Sequence, residues 1–325
     1  MTVLPFHYTR AGDIAEALRI LSRDEGATLI AGGTDLVTLM RDGIRAASHL
    51  VDVNGLGLDE IHWLPEGGVR IGALCRNAVD DARLRREYPV LAEALRSGAS
   101  PQIRNRASVG GNLLQQTRCT YFRLPEFACN RRTPGAGCSA IEGDSHLQAI
   151  FGASPQCTAV HPSDFSVALQ ALDAVVLTEG TRGRRRIPVD DFFRLPGTTP
   201  HLTTELRRDE LVVGVELPGG PLAARSHYVK FRERASYAFA LVSAAVAVEV
   251  RGGTVRSARV ALGGVAAKPW RSPAAEEALI GRPLDEEAAA AAGDAAARGA
   301  RPQRHNGYKV ELVRRVVRQA LSELG

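Results

Sequence analysis

Apolar residues recur at helical spacing over residues 13–23, placing Ile14, Ala17, Leu18 and Leu21 on one face and predicting an amphipathic helix. A short apolar strand, Thr28-Leu29-Ile30-Ala31, then runs into Gly32-Gly33-Thr34-Asp35, after which Leu36, Val37, Leu39 and Met40 resume the helical period. That order reads as strand, glycine turn and helix start. Further strands are predicted near 49–53 and in a hairpin of 60–63 with 68–73, turning at Pro65-Glu66-Gly67, followed by helices at 77–87 and 90–97. The apolar run 165–177 reads as a helix entering a buried strand, with Asp164 as its N-cap. Residues 186–193 and then 202–217 read as a strand pair that ends at Pro218-Gly219-Gly220-Pro221, a boundary signal. Beyond it, 226–232, 240–251 and 255–262 read as an antiparallel set. Helices at 285–298 and 309–324 follow, the second carrying Val310, Val313, Val317 and Leu321 on the face that would cover the sheet. No internal repeat is visible.

Composition narrows the function classes. A length of 325 residues with 45% hydrophobic content supports two or three globular domains. Residues 1–10 lack the basic stretch and apolar core of a secretory signal, and no 18-residue uncharged apolar run occurs, so neither an export address nor a membrane span is expected. The net charge is +5, yet 41 Lys and Arg are interspersed with 36 Asp and Glu, which argues against a nucleic-acid protein. The one basic run, Arg182 and Arg184 to Arg186, reads as a solvated hairpin turn, and a basic face would suit an acidic protein partner.

Candidate chemistry lies in two places. Four of the five cysteines, Cys119, Cys129, Cys138 and Cys157, fall in one 39-residue stretch rich in Gly, Pro, Arg and aromatic residues. Clustered thiols are oxidised to disulfides or bound to a soft metal, and the missing export signal argues against disulfides. The spacings C-x9-C, C-x8-C and C-x18-C lack the C-x2-C knuckles usual for zinc and the ferredoxin run, leaving a [4Fe–4S] cluster and zinc both open. Tyr121, Phe122 and Phe127 suit a hydrophobic jacket. His146 and His161 flank the loop as hydrogen-bonding or exposed groups, and Cys75 reads as an inert core residue. The second place is the turn at Ala31 to Leu36, joined by Ser108-Val109-Gly110-Gly111-Asn112; exposed N–H groups at such turns can cradle a pyrophosphate, although the same residues also serve as ordinary turn and cap chemistry. No Rossmann fingerprint, P-loop, nucleophile elbow or H-E-x-x-H site is present.

Taken in order, Ala31 to Leu36, Ser108 to Asn112, Ser163-Asp164 and Ile187 to Phe193 resemble the FAD-binding subunit of molybdenum hydroxylases over nearly the whole chain. Thr117 to Arg123 and Cys129 to Cys138 resemble the iron-sulfur-bearing version in periplasmic aldehyde oxidoreductases. A similar insertion occurs in 4-hydroxybenzoyl-CoA reductase, the runner-up, while a non-catalytic zinc-stabilised interaction module is a reading from another class. The resemblance implies an α+β fold: a two-part FAD domain of the vanillyl-alcohol-oxidase (PCMH) type at 1–221, divided near residue 55 and bearing an iron-sulfur loop at 117–158, and a C-terminal sheet-and-helix domain at 222–325. It implies that Gly26, Ala27, Thr28, Leu29, Ile30, Ala31, Gly32, Gly33, Thr34, Asp35 and Leu36 grip FAD, with Ser108, Gly110, Gly111 and Asn112 continuing the cradle. Asp164 is expected at the adenosine end, and Lys230 either near the flavin ring or as a surface charge. The four clustered cysteines would hold a [4Fe–4S] cluster. Expected partners are a molybdenum-cofactor large subunit, a [2Fe–2S] small subunit and an external electron acceptor. The aldehyde chemistry would occur outside this chain, in a complex carried to the periplasm by a signal-bearing partner, with the cytoplasm as the alternative location.

Overall fold

The computed structural model describes residues 4–325. Strands β1 (His7–Arg10), β2 (Ala27–Ile30) and β3 (His49–Asp52) form a small parallel sheet in the order β1-β3-β2. The expected first helix is Ile14–Arg23, capped by Asp13, whose carboxylate accepts from the Glu16 N–H; Ala17, Leu18 and Leu21 are buried. Strands β4 (Ile61–Trp63), β5 (Val69–Gly72), β6 (Val175–Gly180), β7 (Gly183–Pro188) and β8 (Glu210–Leu217) build a second sheet, antiparallel throughout, in the order β4-β5-β8-β6-β7. The C-terminal sheet contains β9 (Ser226–Phe231), β10 (Val242–Arg251), β11 (Thr254–Gly263) and β12 (Trp270–Arg271), with helices Glu286–Ala296 and Tyr308–Ser322 behind it.

Three predicted elements differ. Residues 77–81 are not helical, because the Asn77 and Ala78 N–H groups donate to Ala107 and Arg104 carbonyls across the chain. The helix is confined to Ala82–Glu87, with Asp81 as its cap. The expected pair of 186–193 with 202–217 does not form: β7 ends at Pro188, Val189–Phe192 is helical, and β6 lies between β7 and β8, which begins at Glu210 after the Arg207 N–H turns back to the Glu210 carboxylate at 2.9 Å. The cap of helix Asp164–Ala171 is Ser163, whose hydroxyl accepts from the Ser166 N–H at 3.0 Å; Asp164 is the first helical residue and its carboxylate points elsewhere.

The C-terminal sheet buries both faces, and alternation along β10 shows how. Ala245 on β10 and Ala261 on β11 join the core of the second sheet, whereas Ala244, Val246, Val248, Val260 and Leu262 join the core beneath the two long helices. All eight residues of helix Asp164–Ala171 are buried, and it packs against both β10 and β11, so it sits at the seam of the two cores. The basic run is not a free patch: Arg184 pairs with Glu179 at 2.9 Å, Arg185 with Glu210 at 2.5 Å and Arg186 with Glu216 at 2.5 Å, all within the second sheet. Among the described residues, no helix is long and apolar enough to cross a membrane.

Close packing of the two long C-terminal helices depends on Gly293, where a Cβ would lie 2.6 Å from the Arg314 carbonyl oxygen. A Gly293→Val substitution should therefore destabilise the chain by about 1–3 kcal/mol, read as a lowered midpoint in thermal unfolding.

Candidate functional site

Two adjoining cavities run between the sheets. The larger, about 640 Å³, is lined by Asn77, Asn112, Asp164 and Lys230 among others; the second, about 350 Å³, is lined by every residue from Ala27 to Leu36 and by Ser108, Gly110 and Gly111. Thr34, Asp35, Gly111 and Gln115 border both, so the two spaces meet at the glycine turn. Gly26 borders neither. Its N–H donates to Asp24 at 2.8 Å and its missing Cβ makes room for Ser48, which makes it a turn residue behind the site.

The two glycine elements differ in what they offer. Among the described residues, the N–H groups of Gly32, Gly33, Thr34 and Asp35 donate to no other group of the chain, and the positive φ of Gly33, 73°, turns this backbone toward the cavities. Such a set of free N–H groups suits an anion. Gly32 is needed for a second reason, because a Cβ there would collide with the Arg106 carbonyl oxygen. At Ser108 to Asn112, by contrast, the donors are already used. The Gly110 N–H donates to Ala73 at 2.7 Å, the Gly111 N–H to the Ser108 hydroxyl at 3.3 Å, and the Asn112 N–H to the Ser108 carbonyl at 2.8 Å. This second element is a close-packed wall.

Asp164 and Lys230 are direct partners: the ammonium donates to the carboxylate at 2.8 Å and to the Ser97 carbonyl at 3.1 Å, while the Tyr228 hydroxyl donates to the other carboxylate oxygen at 2.5 Å. The Lys230 side chain is 4% exposed, so it is not a surface charge. Being paired, these two residues face the same part of the cavity and cannot serve opposite ends of an extended dinucleotide.

The cysteine loop abuts this site. Cys119, Cys129, Cys138 and Cys157 all line one small enclosed space, together with Tyr121, Phe122, Asn130 and Ala159. Phe127 does not line this space; its ring stands edge-on to Tyr121 with centroids 5.0 Å apart. Burial pushes the Cys119 and Cys138 thiols upward, a cost that metal binding would relieve by replacing the proton. Among the described residues, no three His, Cys, Asp or Glu side chains gather tightly enough to share one metal ion. Zinc would require four sulfurs at about 2.3 Å from a common point, so this arrangement does not favour it. Cys75 lies in the core, as expected, its thiol donating to the Glu60 carbonyl and pushed upward by burial.

Asp35 connects loop and turn. Its carboxylate accepts from Arg118 at 2.7 Å, from Arg123 at 2.8 Å and from the Gln116 N–H at 2.8 Å. This carboxylate is thus occupied by the loop, and only the backbone of Asp35 is available to a ligand. Sequence reasoning missed Arg118 and Arg123, whose one signal was their place beside Cys119, and also Asn77, Tyr228 and Gln148. Asn77 Oδ1, Arg118 Nε and His161 Nε2 are buried without partners, and all three residues line the larger cavity, where a polar ligand would satisfy them. His161 faces this cavity and not the thiols, and its ring packs on Phe193 at 4.6 Å; His146 stacks on Tyr308 at 4.9 Å.

The sequence matches the FAD binding domain in molybdopterin dehydrogenase over residues 4–220 and the CO dehydrogenase flavoprotein C-terminal domain over 226–324. The chain is an FAD-binding medium subunit of the molybdenum hydroxylase family. It is 48% identical to the aldehyde oxidoreductase FAD-binding subunit PaoB of Escherichia coli K12, covering 98% of each chain. It is 27% identical to the glyceraldehyde dehydrogenase medium chain of Sulfolobus acidocaldarius, over 87% of this chain and 83% of that one. A solved carbon monoxide dehydrogenase from Hydrogenophaga pseudoflava superimposes with a TM-score of 0.76 at 27% identity, covering 99% of this chain and 97% of the other. The family's FAD fits what the cavities present: free N–H groups at the junction and unpartnered polar atoms along the larger space.

Burial, with help from Arg131, pushes His161 down to about 3. The unfolded chain therefore binds a proton near 6.5 that the folded chain refuses, so stability is full above that pH and falls as pH drops toward 3. Between pH 7 and 5 this amounts to about 2 kcal/mol, and a His161→Gln variant should show a smaller loss in urea unfolding midpoints over that interval.

Proposed function

We propose that this chain is the electron-transfer subunit of a molybdenum-dependent aldehyde oxidoreductase, carrying FAD and a [4Fe–4S] cluster. Aldehydes would be oxidised to carboxylic acids in a large subunit holding the molybdenum cofactor. A small [2Fe–2S] subunit would relay electrons to this chain, and an external acceptor would remove them. The observation that carries the reading is the end-to-end similarity, at 48% identity, to a protein described as the FAD-binding subunit of an aldehyde oxidoreductase. The enclosed set of four thiols supports the iron–sulfur part, since soft thiolates in a dry, aromatic-lined loop suit such a cluster and their spread does not suit a single ion.

In this reading each residue has a stated task. The free N–H groups of Gly32 to Asp35 hold the pyrophosphate, and the two cavities take the remainder of the dinucleotide on either side. Asp164 and Lys230 form a neutral buried pair in the wall of the larger cavity, and a ligand oxygen or nitrogen reaching it would meet a fixed donor and acceptor. His161 presents an uncharged imidazole to the same space. FAD supplies the capacity to accept and release electrons singly or in pairs. Cys129, Cys138 and Cys157, with Cys119, would ligate the cluster within electron-transfer reach of the cleft, because Cys119 borders both spaces. Export of the assembled, cofactor-loaded complex by a signal-bearing partner would place it in the periplasm, and recovery of the complex only in the cytoplasmic fraction would refute that location.

Anaerobically purified chain should contain one FAD with about four iron and four acid-labile sulfide. It should show little aldehyde oxidation without its partners. FAD without iron would leave the flavin reading standing and remove the cluster, and zinc without FAD would overturn the whole reading.

A further inference from the structure

Cys119 differs from the other three clustered thiols in where it stands: it alone among them borders both the cysteine enclosure and the larger cavity. Its sulfur accepts a hydrogen bond from the Gln148 side-chain amide at 3.5 Å, a buried contact between residues that line the same cavity. Cys157 also accepts a hydrogen bond, from the Ala159 N–H at 3.5 Å, but that donor is backbone and survives every substitution except proline. Gln148 is 3% exposed.

The C-terminal domain holds Gln148 in place. The Asn306 amide donates to the carbonyls of Gln148 at 3.0 Å and Ala149 at 3.3 Å, and the Lys309 ammonium donates to the Leu147 carbonyl at 3.0 Å. Tyr308 donates to the His146 carbonyl at 2.9 Å, and the His305 N–H donates to the Ser145 hydroxyl at 3.0 Å. A segment lying between Cys138 and Cys157 is thereby gripped along five consecutive residues by one stretch of the other domain. These contacts hold the main chain from which the Gln148 side chain reaches the Cys119 sulfur.

We propose that Gln148 is a positioning residue that sets the reduction potential of the iron–sulfur centre through its hydrogen bond to Cys119. The inference rests on the cluster assigned under the preceding heading. A donor to a thiolate ligand withdraws electron density from the metal centre and favours its reduced form, so removing the donor lowers the potential. Cys119 is the ligand where such tuning bears on the cleft, because its sulfur stands in the wall they share.

The test is an EPR-monitored redox titration of the assembled complex carrying Gln148→Leu, with Gln148→Met as a companion of similar length that also lacks the amide donor. Both variants should retain native iron and sulfide, and in both the iron–sulfur midpoint should shift downward while the flavin midpoint moves less. An unchanged iron–sulfur midpoint in iron-replete variants overturns the proposal, as does an equal shift of flavin and cluster. Loss of iron from both variants also overturns it, since Gln148 would then build the site and not tune it. Wild-type protein without iron would instead defeat the preceding assignment, before any variant is compared.

Discussion

The carboxylate of Asp35 is the joint on which the site depends. It stands in the glycine turn whose backbone donors face the cavities, yet its side chain turns away to collect Arg118, Arg123 and the Gln116 N–H. Two guanidiniums on one carboxylate leave excess positive charge beside the anion cradle, and burial already pushes Arg118 downward against the pull of Asp35. An anionic ligand at the turn relieves that imbalance. The same ion cluster fixes Arg118 and thereby the adjacent Cys119, so the glycine turn and the thiol enclosure are placed by one set of contacts.

A second constraint is the double duty of the C-terminal sheet. Small residues, Ala245 and Ala261, face the buried helix Asp164–Ala171 and the core around it, while Val246, Val248 and Val260 face the long helices. The small side lets the sheet approach closely enough for Lys230 and Tyr228 on β9 to reach Asp164 across the domain seam. A larger residue at Ala245 would separate β9 from that helix and break the pair. The cavity wall is thus a product of packing between domains and not of either one alone.

Legibility in the sequence followed the range of the interaction. The glycine turn, the helices of the C-terminal domain and the clustered thiols were readable because each is written in neighbouring residues, where period, turn chemistry and spacing operate directly. The pairing of Asp164 with Lys230 spans 66 positions and that of Asp35 with Arg123 spans 88, and no local pattern encodes either. Gly110 and Gly111 line the smaller cavity, but the Ala73 carbonyl and the Ser108 hydroxyl take their N–H groups, a use of the backbone that no local pattern shows. Helical propensity over 77–81 gave way to cross-chain hydrogen bonds, another competitor invisible at short range. Lys309 falls at the edge of an apolar helical face, and only the structure shows it buried, pushed down to about 7 by that burial and bonded to the Leu147 and Gly264 carbonyls.

The grip of residues 303–309 on residues 145–149 has a consequence in time. Ribosomal synthesis delivers all four clustered cysteines well before Asn306 and Lys309 exist, so for that interval the segment carrying Gln148 lacks its anchors. Arrival of the C-terminal helix then completes the hydrogen bonds that hold residues 145–149 beside the thiols. Maturation order is thereby written into the polarity of the chain.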